Sequence, residues 1–225
     1  MYTISTELRG YLDLLKGPQF EQTIPYMYVD TVGKITVGVG HNITAHGDLG
    51  SLKFDVKRLT RKAVKGGDTG IPIGQPKNIG RSATAAEKKA DYDFLFKHKG
   101  LGSYGPTQLA AYTTLEMKAG DITALFEKDL QEHIAIVLGV FGTAFAVYPV
   151  TCKAALIDIA FNCGSFATFP TLVSVVKGQG AYAGKSAPER WKAAVTYSTR
   201  GKVSAARNKQ IADWFKAGAA YRPSV

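Results

Sequence analysis

Two acidic side chains and one hydroxyl near the start of the chain have the types and the spacing that acid–base chemistry requires. Glu21 and Asp30 are nine residues apart, and Thr36 follows Asp30 by six. Two carboxyl groups can cleave a bond when one donates a proton and the other deprotonates a water molecule. A hydroxyl beside them can hold that water. We therefore take Glu21 as the candidate acid, Asp30 as the candidate base and Thr36 as the residue that holds the water.

A predicted β-hairpin brings two of these residues together. A strand-like run at 26–29 precedes Asp30, a turn at 31–34 contains a glycine, and a β-branched run at 35–39 returns past Thr36. Asp30 is then expected at the wet rim of the hairpin, where its carboxylate stays ionised.

Glu21 is expected in a drier place. It follows a Gly17-Pro18 break that ends the first predicted helix. Phe20, Ile24 and Tyr26 flank it and are expected to form an apolar wall. Such a wall disfavours the ionised form of a carboxyl group, as a proton donor requires.

The segment from Phe20 to Thr44 resembles a family signature. The similarity to the phage-type lysozymes, glycoside hydrolase family 24, is position by position at Glu21, Tyr28, Val29, Asp30, Gly33, Thr36, Gly38, Gly40 and His41. Residues 154–169 look like the buried helix and Phe-Asn-x-Gly segment of that family, and residues 200–215 like its basic C-terminal helix. One departure is Gln22, where the family has glycine after the acid.

The resemblance implies a muramidase with an α+β, lysozyme-like fold. It implies a small N-terminal lobe with the hairpin, a helical C-terminal lobe, and a glycan lying in the groove between them. The reaction would be hydrolysis, with inversion, of the β-1,4 bond between N-acetylmuramic acid and N-acetylglucosamine. Inversion needs carboxyl groups roughly 6.5 to 9.5 Å apart. The resemblance also assigns sugar or envelope contacts to Phe161, Asn162, Gly164 and Arg207.

One domain is expected over residues 1–225, in three parts. Residues 1–50 would form the N-terminal lobe and residues 121–225 the helical C-terminal lobe. Residues 51–120 have no counterpart in the resemblance and are expected to be an insertion, with an exposed Gly- and Pro-rich loop at 66–80.

The glycines and histidine that follow the hairpin are expected to be structural. Gly38 and Gly40 would allow tight backbone turns, and His41 would pair with an acid. A metal site made by His41, His46 and Asp48 is disfavoured because the two imidazoles lie in a glycine-containing loop without a further ligand cluster. We expect neither a metal nor a cofactor.

The net charge of +10 is unevenly distributed. Residues 51–100 contain 12 Lys and Arg against 5 Asp and Glu, and residues 185–225 contain 9 against 2. Such patches favour anionic surfaces, and whether they bind an envelope or only keep the chain soluble stays open. Peptidoglycan is the expected partner of a monomer. An inhibitor or immunity protein stays open, and no nucleic acid is expected because aromatics do not alternate with the basic residues.

Cysteine and hydropathy patterns bear on location. Cys152 and Cys163 fall eleven residues apart in one predicted helix, too far for a disulfide, so we expect free, buried thiols. The start MYTISTEL has no signal-peptide pattern, and no segment is expected to span a membrane. We expect synthesis in the cytoplasm and action on the wall after release or delivery, as a phage endolysin or an interbacterial toxin.

Helical patterns dominate the rest of the chain. Helices are predicted at 6–16 after Ser5, at 85–98 from a capping box at Thr84 and Glu87, from an Asp121 cap onward, and at 151–162, 170–177, 187–197 (from a capping box at Ser186 and Glu189) and 203–217. A glycine-rich break is predicted at 100–106. The helix after Asp121 has one predicted apolar stripe: Ile122, Leu125, Phe126, Leu130, Ile134 and Val137. The segment 107–117 is undecided between helix and irregular structure. For the last helix, a core face at Ile211, Trp214 and Phe215 is favoured over a membrane-active one.

Three other functions stay open at this point. A wall-binding module of the same fold would bind peptidoglycan without cleaving it. A basic nucleic-acid-binding protein would use the charge patches. A lytic transglycosylase would use one acid and leave 1,6-anhydro ends, and the presence of Asp30 and Thr36 argues against it.

Overall fold

The protein has a mixed α+β fold, about 60% helical with small antiparallel sheets. The computed structural model describes residues 1–62, 64, 79–201 and 203–221. In chain order its elements are α1 (Thr6–Asp13), β1 (Ile24–Val29), β2 (Ile35–Gly38), β3 (His41–Asn42), α2 (Ile43–His46), β4 (Asp55–Val56), α3 (Ala85–Lys97), α4 (Pro106–Leu109), β5 (Leu115–Glu116), α5 (Ala119–Phe141), α6 (Val150–Cys163), α7 (Pro170–Lys177), α8 (Ala187–Tyr197) and α9 (Ala205–Ala220).

Short 3₁₀ helices lie between several of these elements. They cover Leu14–Lys16, Lys99–Tyr104, Ala110–Tyr112, Gly142–Val147 and Gly180–Tyr182. The first of them replaces the last turn that the sequence predicted for α1. The segment 107–117, which the sequence left undecided, contains α4, a 3₁₀ turn and β5.

The chain divides into two compact units whose boundaries differ from those we expected. Unit 1 contains residues 1–20 and 128–225, and unit 2 contains residues 21–127. The first helix therefore belongs with the C-terminal helices, and the stretch 51–120 belongs with the hairpin. The predicted insertion is thus part of the unit that holds Glu21, Asp30 and Thr36.

Unit 2 is built on two antiparallel sheets. The first has the strand order β1-β2-β3, and the second pairs β4 with β5. Helix α3 begins with the predicted capping box, in which Thr84 accepts a hydrogen bond from the Glu87 backbone and the Glu87 carboxylate accepts one from the Thr84 backbone. Buried Asp91 on this helix accepts hydrogen bonds from the backbone and hydroxyl of Thr114 and from the Leu115 backbone.

Unit 1 has an all-helical core in which α6 is almost completely buried. Helix α9 packs against α6 so closely that a Cβ added to Gly218 would lie 2.0 Å from Sγ of Cys152. The predicted core face of α9 is confirmed, because its large apolar side chains are buried: Ile211, Trp214 and Phe215. The Ser186–Glu189 capping box predicted for α8 is also present.

Helix α5 corrects the helix start that the sequence predicted, and it contains an unexpectedly long apolar segment. It begins at Ala119, so Asp121 lies in its first turn and does not cap it. The segment Ala119–Val147 is long and apolar enough, by length and composition only, to cross a membrane, with a mean hydropathy of 1.6 in its best window. We had expected no such segment. The predicted apolar stripe is nevertheless buried: Ile122, Leu125, Phe126, Leu130, Ile134 and Val137.

The cysteine prediction is half right. Both thiols are free, and Cys152 is buried, but Cys163 is exposed because it ends α6 at the surface. Most of the predicted 66–80 loop lies outside the described residues, as does Lys202.

Candidate active site

The predicted hairpin is formed by β1 and β2, and its turn has the geometry that Gly33 allows. The Asp30 backbone N–H donates to the Lys34 carbonyl at 2.9 Å, and the Gly33 N–H donates to the Asp30 carbonyl at 3.1 Å. Gly33 has φ +80°, the left-handed conformation that closes a three-residue hairpin loop. Tyr28 then pairs directly with Thr36 across the strands.

The Asp30 side chain is fixed by the turn that follows it. Its Oδ1 accepts hydrogen bonds from the backbone N–H groups of Val32 at 2.9 Å and Lys34 at 2.8 Å. Aspartate commonly binds its own turn in this way. Because both bonds use Oδ1, the hydrogen-bonding capacity of Oδ2 remains for another partner.

The Thr36 hydroxyl is buried and has no hydrogen-bond partner among the described residues. Only 4% of the residue is exposed. An unpaired buried hydroxyl costs free energy, so a protein group or an ordered water normally binds it. Among the described strand residues, Thr36 therefore has the side-chain group best suited to hold a water molecule.

Glu21 lies in a turn just before β1. A Cβ added to Gly40 would lie 2.8 Å from Oε2 of Glu21, so the carboxyl group rests directly against the Gly40 backbone. Only glycine allows this approach. Gly40 also has φ +74°, which a side chain rarely adopts.

Gln22 occupies the position at which the resemblance predicts glycine. Its φ is +64°, and it is the only non-glycine residue with a positive φ in the part of the chain that the structure describes. A glycine would adopt this conformation without strain, whereas glutamine pays roughly 1 kcal/mol or more. The backbone conformation expected for glycine is present although the glycine is not.

The charges of both carboxyl groups act on Tyr28. This buried phenol is 5% exposed, and burial raises its pKa well above the ordinary value of 10.0. The negative charges of Glu21 and Asp30 each raise the pKa of Tyr28 further, so both carboxylates lie close enough to act on one hydroxyl. Because Thr36 is the cross-strand partner of Tyr28, all three candidate catalytic residues are related to this one side chain, two by charge and one by strand pairing.

The expected wall around Glu21 is only partly in place. Ile24 and Tyr26 are buried in unit 2, where the Tyr26 hydroxyl donates to the Pro106 carbonyl at 3.3 Å. Phe20 belongs to unit 1 and stacks on Trp214, with ring centroids 5.9 Å apart. Of the three apolar residues that we expected beside Glu21, Phe20 therefore packs in unit 1, whereas Ile24 and Tyr26 pack in unit 2.

Gly102 supports the hairpin and was missed by the sequence analysis. A Cβ added to it would lie 2.6 Å from the Asp30 carbonyl oxygen and 3.2 Å from Cγ1 of Val29. The 3₁₀ helix Lys99–Tyr104 thus presses its backbone against the end of β1. The sequence showed only a glycine-rich break here, and no local pattern indicates which strand a glycine will approach.

The other residues that we expected to be structural lie close to the hairpin. Gly38 has φ +66°, and a Cβ there would contact Ile122 and Leu125 at 3.6 and 3.7 Å. His41 is 2% exposed, and its Nε2 lies 3.1 Å from Oδ1 of Asp48, an acid seven residues later in the chain.

The other histidine of this region lies beside His41. The His46 ring stacks on that of His41 with centroids 4.6 Å apart. Because Asp48 engages Nε2 of His41, this imidazole has an acidic partner that holds it in the fold of unit 2.

The residues assigned to sugar binding by resemblance lie in unit 1. Phe161 is half-buried and its ring packs on His133, with centroids 4.7 Å apart. Asn162 is exposed at the end of α6, and Gly164 ends that helix with φ +69° while its N–H donates to the Ala160 carbonyl at 2.8 Å. The Asn162 amide is therefore accessible to a ligand, and Gly164 acts as a helix cap.

Arg207 does not fit the role of a surface anion contact. It is 5% exposed, and its Nε and Nη2 donate to Oδ1 of Asp158 at 3.0 and 2.6 Å. Arg200 donates to the other carboxylate oxygen at 2.8 Å. The guanidinium of Arg207 also lies 5.3 Å from the Phe20 ring centroid. Arg207 is thus committed to a buried ion pair, which the helical pattern did not reveal because Asp158 is 49 residues away.

Comparison with known proteins gives no family assignment. No protein-family model matches the chain, and no curated protein matches it.

Proposed function

We propose that this protein is a peptidoglycan hydrolase of the muramidase type, with a lysozyme-like fold. The observation that carries the proposal is that Glu21 and Asp30 both act electrostatically on the buried Tyr28 phenol, whose cross-strand partner Thr36 has a buried hydroxyl without a partner among the described residues. Inverting glycoside hydrolysis requires two carboxyl groups with a water between them. A hydroxyl near them can hold that water.

Glu21 is the proton donor in the proposed reaction. Its carboxylic acid protonates the oxygen between the two sugars as the bond to the anomeric carbon breaks. The close approach of Gly40 is consistent with this role, because the backbone contact limits where the carboxyl group can lie. The leaving sugar departs as an alcohol, and Glu21 becomes a carboxylate.

Asp30 and Thr36 deliver the nucleophile. Two backbone N–H groups hold Oδ1 of Asp30, so its carboxylate has a fixed orientation from which Oδ2 can accept a proton from water. The Thr36 hydroxyl holds that water. The oxygen of the water bonds to the anomeric carbon from the opposite face, its proton goes to Asp30, and the configuration inverts.

The resemblance also proposes glycan contacts for two residues that belong to unit 1. Asn162 is exposed and can exchange hydrogen bonds with an N-acetyl group, and the half-buried ring of Phe161 can pack on a sugar face. Arg207 is not among these contacts because Asp158 engages it. Bacterial cell lysis is the activity that follows, and the reaction needs no cofactor.

Hydrolysis of purified peptidoglycan by matched variants tests the proposal. Glu21→Gln and Asp30→Asn are nearly isosteric, and the amide of Asp30→Asn keeps an oxygen acceptor for the turn. We expect each to lower turnover by at least ~10²-fold. Asp93→Asn removes an exposed charge in the same unit, one that pairs with Lys89 on the surface, and should leave the rate unchanged.

Product analysis separates the proposal from its alternatives. Mass spectrometry should find hydrated reducing ends, and fast NMR should find the inverted anomer first. A wild-type rate in Glu21→Gln would overturn the muramidase assignment. 1,6-Anhydro ends would indicate a transglycosylase, and peptidoglycan binding without cleavage by the wild type would indicate a wall-binding module.

A further inference from the structure

The end of α5 and the 3₁₀ helix Gly142–Val147 form an uncharged stretch of unit 1, called the tip below. The residues from Ile134 to Cys152 include no Asp, Glu, Lys or Arg. The larger apolar side chains of the tip are mostly buried, among them Phe141 and Phe145. Val147, at the end of the 3₁₀ helix Gly142–Val147, is 84% exposed. A single exposed apolar side chain marks an interaction site only where it adjoins further apolar surface.

An apolar cavity of about 520 Å³ opens beside the tip. Tyr148 and Trp191 line it with their rings 4.9 Å apart, and Pro188 and Tyr221 complete the walls. A sugar would need several hydrogen-bond partners in such a cavity, and these walls offer few. An alkyl chain needs none. Trp191 is buried, whereas Tyr221 is exposed and Tyr148 half-buried. Tyrosine favours the boundary between water and lipid, where one end of the side chain is apolar and the other wet.

Basic side chains border the apolar surface. Arg190 lines the cavity, where its Nη1 donates to the Val176 carbonyl at 2.8 Å and its buried Nε has no partner among the described residues. A second cavity of about 430 Å³ also contacts Val147 and contains Lys153 and Glu7. Lys153 donates to the Ala146 carbonyl at 2.7 Å, which holds its ammonium at the base of the tip.

The charge around the tip is therefore positive on balance. Arg190 and Lys153 give two positive charges, and Glu7 offsets one of them. Because the apolar tip lies among these charges, the surface offers alkyl contacts at its centre and phosphate contacts at its edge. This is the arrangement in which proteins bind at an anionic membrane surface.

We propose that this tip docks on an anionic phospholipid bilayer. Val147 enters the boundary between headgroups and acyl chains, the aromatic cavity receives part of an acyl chain, and Arg190 and Lys153 face lipid phosphates. The proposal rests on residues of unit 1 and does not depend on the muramidase assignment.

Vesicle cosedimentation with the full-length protein tests the docking. The vesicles are phosphatidylcholine alone, or phosphatidylcholine with phosphatidylglycerol as the anionic lipid. We expect strong binding only to the anionic vesicles. Val147→Asp should lower the partition coefficient at least about tenfold, since it places a charge where apolar contact is needed. Val147 is exposed, so this variant should fold, and its circular dichroism checks that.

The matched control is Ile79→Asp. Ile79 is 63% exposed and belongs to unit 2, so the same charge change occurs on another surface. General attraction by the other basic residues should affect both variants equally. Equal binding by Val147→Asp and Ile79→Asp, or no binding to anionic vesicles, would overturn the proposal.

A fluorescent label gives a direct readout of insertion. In a Cys163→Ser background, an environment-sensitive dye is attached to Val147→Cys or to Ile79→Cys. A blue shift on anionic vesicles at position 147 only supports docking. Binding of monomeric short-chain phospholipid without vesicle binding would indicate a pocket for free amphiphiles instead. A dimer in light scattering that Val147→Asp dissociates would assign the tip to self-association.

Discussion

The backbone carbonyl of Asp30 lies so close to Gly102 that a single added carbon at position 102 would be 2.6 Å from its oxygen. The 3₁₀ helix Lys99–Tyr104 therefore limits where the rim of the hairpin can lie. Since backbone cannot move aside as a flexible side chain can, the contact fixes the position of the candidate base. The segment that the sequence analysis treated as an insertion thus helps to shape the site.

Gly102→Ala should impair both stability and activity. The new methyl group displaces the Asp30 carbonyl, so we expect a loss of about 1–3 kcal/mol in the free energy of unfolding. We also expect a lower kcat, because a small misplacement of a catalytic group is costly. Urea denaturation and peptidoglycan hydrolysis below the melting temperature measure the two effects.

Gly100→Ala is the matched control for this variant. It lies in the same 3₁₀ helix, and a Cβ there meets nothing within 4 Å. It should behave like the wild type in both measurements. If the two alanine variants are indistinguishable, the contact with Asp30 does not constrain the hairpin.

Thr36→Val should separate stability from activity. Removing a buried hydroxyl that has no partner among the described residues should leave stability unchanged or raise it by up to about 1 kcal/mol. Turnover should fall at least ~10-fold because the attacking water loses its holder. Thermal unfolding and initial rates of hydrolysis give the comparison, and Thr36→Ser should retain most of the activity.

Thr114→Val provides the opposite case in the same unit. Its hydroxyl donates to the buried Asp91 carboxylate at 2.9 Å, so its removal should cost about 1.5–3 kcal/mol. If Thr36→Val lowers the free energy of unfolding as Thr114→Val does, and turnover falls with it, Thr36 has a packing role only.

Gln22→Gly should stabilise the protein. The left-handed φ of +64° costs glutamine roughly 1–2 kcal/mol, and glycine removes that cost while adding about 0.5–1 kcal/mol of unfolded-state entropy. We expect a net gain of about 0.5–1 kcal/mol by denaturant unfolding. Gln19→Gly, at a residue without positive φ, should lose stability instead. A loss in both variants would contradict the strain at Gln22.

Glu87→Gln should reduce stability near neutral pH but not in acid. The Arg81 guanidinium, which forms two hydrogen bonds to the Glu87 carboxylate, lowers the pKa of Glu87 below its ordinary value of 4.5. A lowered pKa means that the ionised carboxylate stabilises the fold above about pH 4.5. That stabilisation disappears as the pH falls through the folded-state pKa.

The unfolding free energy of wild type and Glu87→Gln should therefore differ by about 1–3 kcal/mol at pH 7 and converge in acid. Glu189→Gln tests the equivalent position of the exposed capping box in α8. Because solvent screens the exposed Glu189 carboxylate, Glu189→Gln should lower the free energy of unfolding by less than Glu87→Gln does. A difference for Glu87→Gln that does not change with pH would contradict the ionic origin of the effect.

Local patterns predicted local structure well. The turn residues around Gly33 predicted the hairpin, and the capping boxes at Thr84 and Ser186 predicted where α3 and α8 begin, because each depends on residues a few positions apart. The apolar stripe of α5 was predicted for the same reason.

Long-range relationships were not predicted from the sequence. The contact of Gly102 with Asp30 and the ion pair of Arg207 with Asp158 join distant segments, and periodicity does not indicate which segments meet. The unit boundaries differ from our expectation for a related reason. Helix α1 packs in unit 1, and no local pattern shows where a helix docks.

The fit between Cys152 and Gly218 has a chemical consequence for unit 1. Burial raises the pKa of the Cys152 thiol to about 12, so its thiolate amounts to only about one part in 10⁵ at pH 7. The sulfur is fully buried, and on the side that faces α9 no room remains for an added oxygen, because even a methyl group at position 218 would collide with it. In an oxidising environment peroxide should therefore spare this sulfur and modify Cys163 first, at the surface and without disturbing the helical core.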